Sequence, residues 1–244
     1  MSLKIIHTAD WHLGQTFFGY DREEEHDAFL NWLVDTLAEQ QTDVLLIAGD
    51  VFDVANPSAS AQRRFFHFLK EANRRNPHLQ VIVVAGNHDS AARLESPIPL
   101  LEELNTSIVG IIRRTESGEI DFDSLVIPLY NKEKKREGWC LAVPYLRQGD
   151  YPAPEEGHDT YIAGINRMYR QLYDFADARR QPGEALVAMG HLHATGAELS
   201  DDDRSERIIM GGLESVSSDT FDEGLAYTAL GHIHKAQRIG GWEN

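Results

Sequence analysis

The chain predicts an α/β fold built on parallel strands, and three observations carry that reading. Strands and helices alternate through the first 85 residues or so, as βαβ units with right-handed crossovers require. The strands are short continuous apolar runs, such as Val81 to Ala85, rather than alternating ones. Five of these runs stop abruptly at polar, chemically active side chains, which in a parallel sheet gather at one edge, where ligands bind.

At 244 residues the chain suits one large domain, or one with elaborations, and its 42% hydrophobic and 25% charged composition is that of an ordinary globular protein. No apolar run approaches the roughly 18 residues of a membrane span. His7 and Asp10 interrupt any signal-peptide core at the N-terminus. The single cysteine, Cys140, excludes an intrachain disulfide and a multi-cysteine zinc site; its apolar flanks read it as a buried small hydrophobe. A reducing, cytoplasmic setting fits. Acidic residues outnumber basic ones 39 to 23, a net charge of −16 that argues against a broad basic surface for nucleic acid. A phosphate polymer would have to be attracted locally.

In order, residues 3–9 read as the first strand, ending at Asp10-Trp11-His12. An amphipathic helix follows from Arg22 to about Gln40, with Phe29, Leu30, Leu33 and Leu37 at helical spacing and acids in its first turn. His26 on this helix, His7 in the strand and His67 in the next helix read as packing or surface residues. Residues 43–49 form a second strand ending at Asp50. Pro57-Ser58 opens a helix whose stripe is Ala61, Phe65, Phe68, Leu69 and Ala72, and Pro77 closes it. Phe66 lies off that stripe, either on a wide buried face or at a partner contact. Residues 79–85 form the third strand, ending in Gly-Asn-His-Asp. Residues 91–104 are helical but broken by Pro97 and Pro99.

From Thr106 to Val143 short strands alternate with turns. The charge run from Lys132 to Gly138 reads as a solvated hairpin tip, with a phosphate-contacting loop as the alternative. Residues 149–160 are a loop by composition, exposing His158, and residues 160–180 are a helix. Residues 185–190 form a strand ending at His191, residues 207–211 a further strand after an acidic loop, and residues 225–231 the last, ending at His232-Ile233-His234.

The strand ends therefore offer Asp10 and His12, Asp50, Asn87 and His88, His191, and His232 and His234. Imidazole, carboxylate and amide oxygen without thiolate suit Mn²⁺, Fe²⁺ or Zn²⁺. Seven candidate ligands among these eight residues are too many for one ion and suit a pair. Two dications ~4 Å apart repel by roughly 17 kcal/mol at an effective dielectric of about 20, so a bridging anion is needed, and Asp50 is the candidate. Two dications against two carboxylates and an attacking hydroxide leave the cluster about one unit positive, which would attract a phosphodiester. The His-Leu-His segment can supply either ring; His191 is favoured over His193 because it follows Gly190 directly, as His232 follows Gly231.

With these residues in view, the chain resembles the calcineurin-like metallophosphoesterases and, within them, the SbcD nuclease subunits of the SbcCD DNA-repair family. HTADWHLGQTF, REEEHDAFLNWL, AGDVFD, AGNHDS and ALGHIHKAQ carry the resemblance, and residues 106–180 match only loosely, through features such as PYLR. It implies a four-layer fold, two mixed β-sheets sandwiched between helices. It further implies that Asp10, His12, Asp50 and His234 hold one metal, and Asp50, Asn87, His191 and His232 the other. His88 would stay off the metals, protonating the leaving oxygen or stabilising the pentacoordinate phosphorus. Mn²⁺ would be the usual ion, DNA ends and hairpins the substrates, and an SbcC-type ABC ATPase the partner. A homodimer through nuclease-domain helices and a cytoplasmic, nucleoid-associated location would follow.

Compared with that pattern, residues 1–244 read as a single nuclease domain lacking the capping domain and the C-terminal ATPase-binding segment. Asp53 stands where archaeal relatives often carry histidine, so no DNA-positioning role is carried over to it. Asp89 reads as a turn or supporting residue. The competing reading is a small-molecule metallophosphodiesterase, for instance one acting on cyclic nucleotides. A protein phosphatase is disfavoured because GDVFD and GNHD replace GDxxDRG and GNHE. A non-catalytic binding module is disfavoured by the retention of every ligand and His88.

Overall fold

The computed structural model describes residues 3–152, 161–194 and 215–238. Strand β1 (Ile5–Thr8) leads through a two-stranded hairpin, β2 (Thr16–Phe17) and β3 (Tyr20–Asp21), to helix α1 (Glu23–Glu39). Then come β4 (Val44–Ala48), α2 (Ala59–Arg75) and β5 (Gln80–Val84). The prolines break the next helical stretch as the sequence requires, giving α3 (Ala91–Glu95), α4 (Ile98–Leu101) and a 3₁₀ turn before β6 (Thr106–Val109). Strands β7 (Val126–Tyr130) and β8 (Arg136–Ala142), helix α5 (Tyr161–Asp177), β9 (Ala185–His191) and β10 (Tyr227–Gly231) complete the order. The expected loop around His158 and the expected strand at 207–211 lie outside the described residues.

The strands divide between two four-stranded sheets rather than joining one. The first, β1-β4-β5-β6, is parallel throughout; the second, β10-β9-β8-β7, is mixed, because β7 pairs antiparallel with β8. The β7–β8 hairpin accounts for the charge run only in part. Its Lys132 to Lys135 portion is the turn, while Arg136 to Gly138 already belongs to β8, where Arg136 reaches Glu184 at 2.6 Å.

Period-two alternation builds the layers. Leu45, Ile47, Val81 and Val83 join the apolar stripes of α1 and α2 in one cluster. Their neighbours Leu46, Ala48, Ile82 and Val84 meet Cys140, Ala142, Val187, Met189 and Ala229 of the second sheet in another. That second cluster continues to Ile165, Met168 and Leu172 of α5. The layers run helices, sheet, sheet, helix, the four-layer arrangement expected. Phe66 is partly buried against the α1–α2 cluster, so it widens the buried face of α2. His26 is buried within the same helix pair, and His7 sits in β1 with its Nδ1 3.0 Å from the Tyr227 hydroxyl. Among the described residues, no helix is long and apolar enough to cross a membrane.

Candidate metal centre

The two sheets are pinned together at the carboxyl ends of their strands. His191, closing β9, donates from Nδ1 to the Ala48 carbonyl at the end of β4, 2.9 Å away. His232, just past β10, donates its backbone N–H to both carboxylate oxygens of Asp10, just past β1, at 2.9 and 3.2 Å. Every polar strand end singled out in the sequence therefore reaches one place, but from two sheets.

Backbone geometry at these ends is unusual. Asp10, His12, Asp50 and His232 all have φ between 45° and 91°, the left-handed region that costs a non-glycine residue of order 1–3 kcal/mol. Gly49, at φ 91°, makes the turn that carries Asp50 inward, and a Cβ there would overlap the His191 ring. A Cβ on Gly86 would overlap the Asp50 carboxylate. The glycines leave room for side chains to converge.

Asp50 lies at the middle, 1% exposed. Its Oδ2 is 3.1 Å from His191 Nε2 and 3.7 Å from His12 Nε2, and its Oδ1 accepts from the His88 backbone N–H at 2.9 Å. The Asn87 side-chain oxygen is 2.9 Å from His191 Nε2 and 3.1 Å from His232 Nδ1. His12 Nε2 and His234 Nε2 face each other at 3.1 Å. Three groups result in which one ligand atom from each residue lies within 4.8 Å of the others: Asp10, His12 and His234; His12, Asp50 and His88; and Asp50, His191 and His232. His193 belongs to none of the three; its ring centroid is 6.3 Å from that of His232. The family resemblance sets His88 apart from the ligands, and the fold brings its ring into ligand range of His12 and Asp50.

The donor set fits divalent metal. Two imidazole nitrogens aimed at each other, and an amide oxygen aimed at two more, share a focus that suits a cation better than mutual hydrogen bonds. The Asn87 amide nitrogen is buried without a hydrogen-bond partner among the described residues, so the contacts of the oxygen orient that side chain. His191 Nδ1 also finds the kind of partner that ligating histidines use, a carbonyl, while His12 Nδ1 lies 3.3 Å from the Asp53 carboxylate without making a hydrogen bond to it.

Asp53, Asp89 and Tyr145 are the residues of this region that sequence reasoning undervalues. Asp53 contacts His12 with its carboxylate and accepts from His88 Nδ1 with its carbonyl at 2.8 Å. Asp89, 2% exposed, accepts three backbone N–H bonds, from Gly86, Val51 and Phe52, and so ties the loop after β4 to the loop after β5. The Tyr145 ring stands 6.3 Å from that of His191. The GDVFD and GNHD spacings mark the first two aspartates only as short-range neighbours of ligands; nothing local marks Tyr145.

A focus of histidines, carboxylates and an amide at the joined edges of two β-sheets is the mark of metal-dependent phosphoester hydrolases. The family model for calcineurin-like phosphoesterases matches residues 3–236, and the chain belongs to that family. It is similar to the SbcD subunits of the nuclease SbcCD: 41% identical over 243 residues to that of Rhodobacter capsulatus, 36% over 255 residues to that of Escherichia coli K12, and 31% over 246 residues to that of Bacillus subtilis. These alignments cover 98%, 99% and 97% of this chain but 60%, 58% and 58% of those proteins. The chain thus spans about three fifths of the length of the relatives it matches.

Charge in the metal-free cluster is set by the Asp50–His191 pair. Burial disfavours the His191 imidazolium, but the Asp50 carboxylate overrides it and raises the pKa to about 9. Burial likewise opposes the Asp50 carboxylate, yet His191 and the His88 N–H hold it well below the usual carboxylate range. Asp10 is pushed up by burial. The raised histidine contributes stability fully below its ordinary pKa of about 6.5 and loses it as pH rises through about 9; the depressed aspartate contributes above about 3.9 and loses it in acid. With chelator present, the melting temperature should therefore fall between pH 6.5 and 9. Saturating divalent metal, which needs the imidazole neutral, should stabilise more as pH rises over that range. A chelated protein whose melting temperature climbed towards pH 9 would refute this charge assignment.

Proposed function

We propose that the chain is the nuclease-type core of an SbcCD-like repair enzyme, a two-metal phosphodiesterase that cuts DNA ends and hairpins. The observation that carries the reading is Asp50, one buried carboxylate common to a group on the His12 side and a group on the His191–His232 side. The DNA part is supported by relatives whose names say nuclease. In this reading Asp10, His12, Asp50 and His234 hold one ion, and Asp50, Asn87, His191 and His232 the second, with Mn²⁺ the suited metal. When bound, the pair supplies a nucleophile from water at neutral pH and Lewis acidity at the phosphoryl oxygens.

The chain's own residues do the rest. Because a carbonyl can only accept, His88 donates from Nδ1 to Asp53, which reserves Nε2 for carrying a proton to the leaving oxygen. The bond from the His88 N–H to Asp50 keeps that acid in register with the shared carboxylate. His191 spends Nδ1 on Ala48 and presents only Nε2 to the centre. For the complete protein we take an SbcC-type ABC ATPase and a second copy of the chain as partners, working in the cytoplasm.

The test is a side-by-side assay with Mn²⁺ on a labelled DNA hairpin, bis-p-nitrophenyl phosphate and cyclic AMP. Hairpin and bis-p-nitrophenyl phosphate should be cleaved and cyclic AMP left intact; turnover of small esters alone would transfer the function to the small-molecule class. His88→Ala should cut turnover at least ~100-fold while elemental analysis still finds two ions per chain. Fewer ions in that variant would make His88 a ligand. Asp50→Asn should lose both ions together, and loss of one alone would contradict the bridge.

A further inference from the structure

We propose that Arg147, held against the ring of Tyr145, grips the phosphate of a DNA strand that neighbours the one being cut. This rests on the DNA reading above. Three rings and groups lie in sequence out of the metal centre. His191 is wholly enclosed, the Tyr145 ring is 6.3 Å from it, and the Arg147 guanidinium lies over the Tyr145 ring at 5.5 Å. The guanidinium is therefore at most about 12 Å from the His191 ring, the two spacings laid end to end. That is within a few phosphates of the cluster along one strand, whose charges are spaced about 3.4 Å along the duplex axis.

The loop keeps this cation available. Arg64, Arg74, Arg75, Arg113, Arg136 and Arg180 all pair with carboxylates, as expected where acids outnumber bases 39 to 23. Arg147 has a carboxylate three residues away, but Asp150 spends it on the Arg147 backbone N–H, at 2.7 Å, and returns its own N–H to the Arg147 carbonyl at 3.0 Å. Arg147 is exposed, and its guanidinium makes no ion pair among the described residues. The turn itself is fixed from outside. The Arg114 guanidinium donates to the Gly149 carbonyl at 2.7 Å, the Tyr161 hydroxyl to the Leu146 carbonyl at 2.9 Å, and the Tyr145 N–H to the Ala85 carbonyl at 2.8 Å. The last bond anchors the segment to the end of β5, the strand that delivers Asn87 and His88. A guanidinium on a fixed turn beside a phosphoester centre, with no ion pair to a carboxylate among the described residues, suits bidentate capture of a phosphate. It also supplies the local attraction that a chain of net charge −16 needs. Tyr145 acts as the positioning residue, its face holding the guanidinium in place.

The test compares the unaltered chain with Arg147→Ala and Arg147→Lys, using Mn²⁺ with a labelled DNA hairpin and, separately, bis-p-nitrophenyl phosphate, which has no neighbouring phosphate. Arg147→Ala should raise the KM for DNA roughly ten-fold with the loss absent from kcat, lower the DNA-to-small-ester ratio of kcat/KM by the same factor, and flatten the salt dependence of KM by about one unit of slope. Arg147→Lys should recover the salt slope, since it restores the charge. An equal loss on both substrates would assign Arg147 to the metal centre or the fold and overturn the proposal. So would an unchanged ratio and slope in a chain that cuts DNA. If the unaltered chain cleaves only the small ester, the DNA reading itself falls and takes this inference with it.

Discussion

A carboxylate as enclosed as that of Asp50 costs several kcal/mol to strip of water, and removing its partners would leave that cost unmet. The partners come from every part of the molecule: His12 after β1, the His88 N–H after β5, and His191 at the end of β9. Asp50 can be buried and charged only when both sheets present their carboxyl edges to each other in register. The bonds from His191 to the Ala48 carbonyl and from His232 to Asp10 fix that register across the sheet interface. Packing between the sheets and chemistry at their edge are thus one constraint.

The same constraint explains why so much unfavourable local geometry is tolerated. Four residues of the cluster sit in left-handed backbone, and Gly49 and Gly86 leave gaps that a methyl group would close. Such strain persists only where the surroundings over-determine it. Here the apolar clusters on both faces of the first sheet do so, with Leu46, Ile47, Ile82 and Val83 all fully buried. Asp89 adds a polar brace, its three accepted N–H bonds binding the loop that carries Asp50 to the loop that carries Asn87 and His88. A rigid scaffold carries the strain, and the strain aims the ligands.

Electrostatically the molecule separates its surface from its centre. The surface carries the acidic excess, as where Glu23 and Asp27 share the single Arg64. At the centre, nitrogens and a few oxygens converge on a focus that metal ions would make positive. In the proposed function, attraction for a phosphodiester would then be short-ranged, centred on the focus and on the Arg147 guanidinium beside it. Salt screens such short-range, partly buried charge less than it screens an open basic surface.

Most of the fold is legible in the sequence because its signals are local. Apolar runs end where Gly-Asp, Gly-Asn-His and Gly-His require a turn, and the helices α1 and α2 follow their apolar stripes to within a residue or two. Local signals mislead where pairing decides: the charge run looks like one solvated tip although part of it extends β8, and the ligand-bearing strands look like one sheet edge although two sheets supply them. By itself the sequence determined the chemistry on offer, imidazole, carboxylate and amide at strand ends, since residue type and local backbone fix that. Only the tertiary structure decided which of these meet, that His191 rather than His193 joins Asp50, that Asp53 backs both His12 and His88, and that Tyr145 stands beside the centre. Those choices depend on contacts between residues up to 222 positions apart, and no local pattern encodes a distance of that kind.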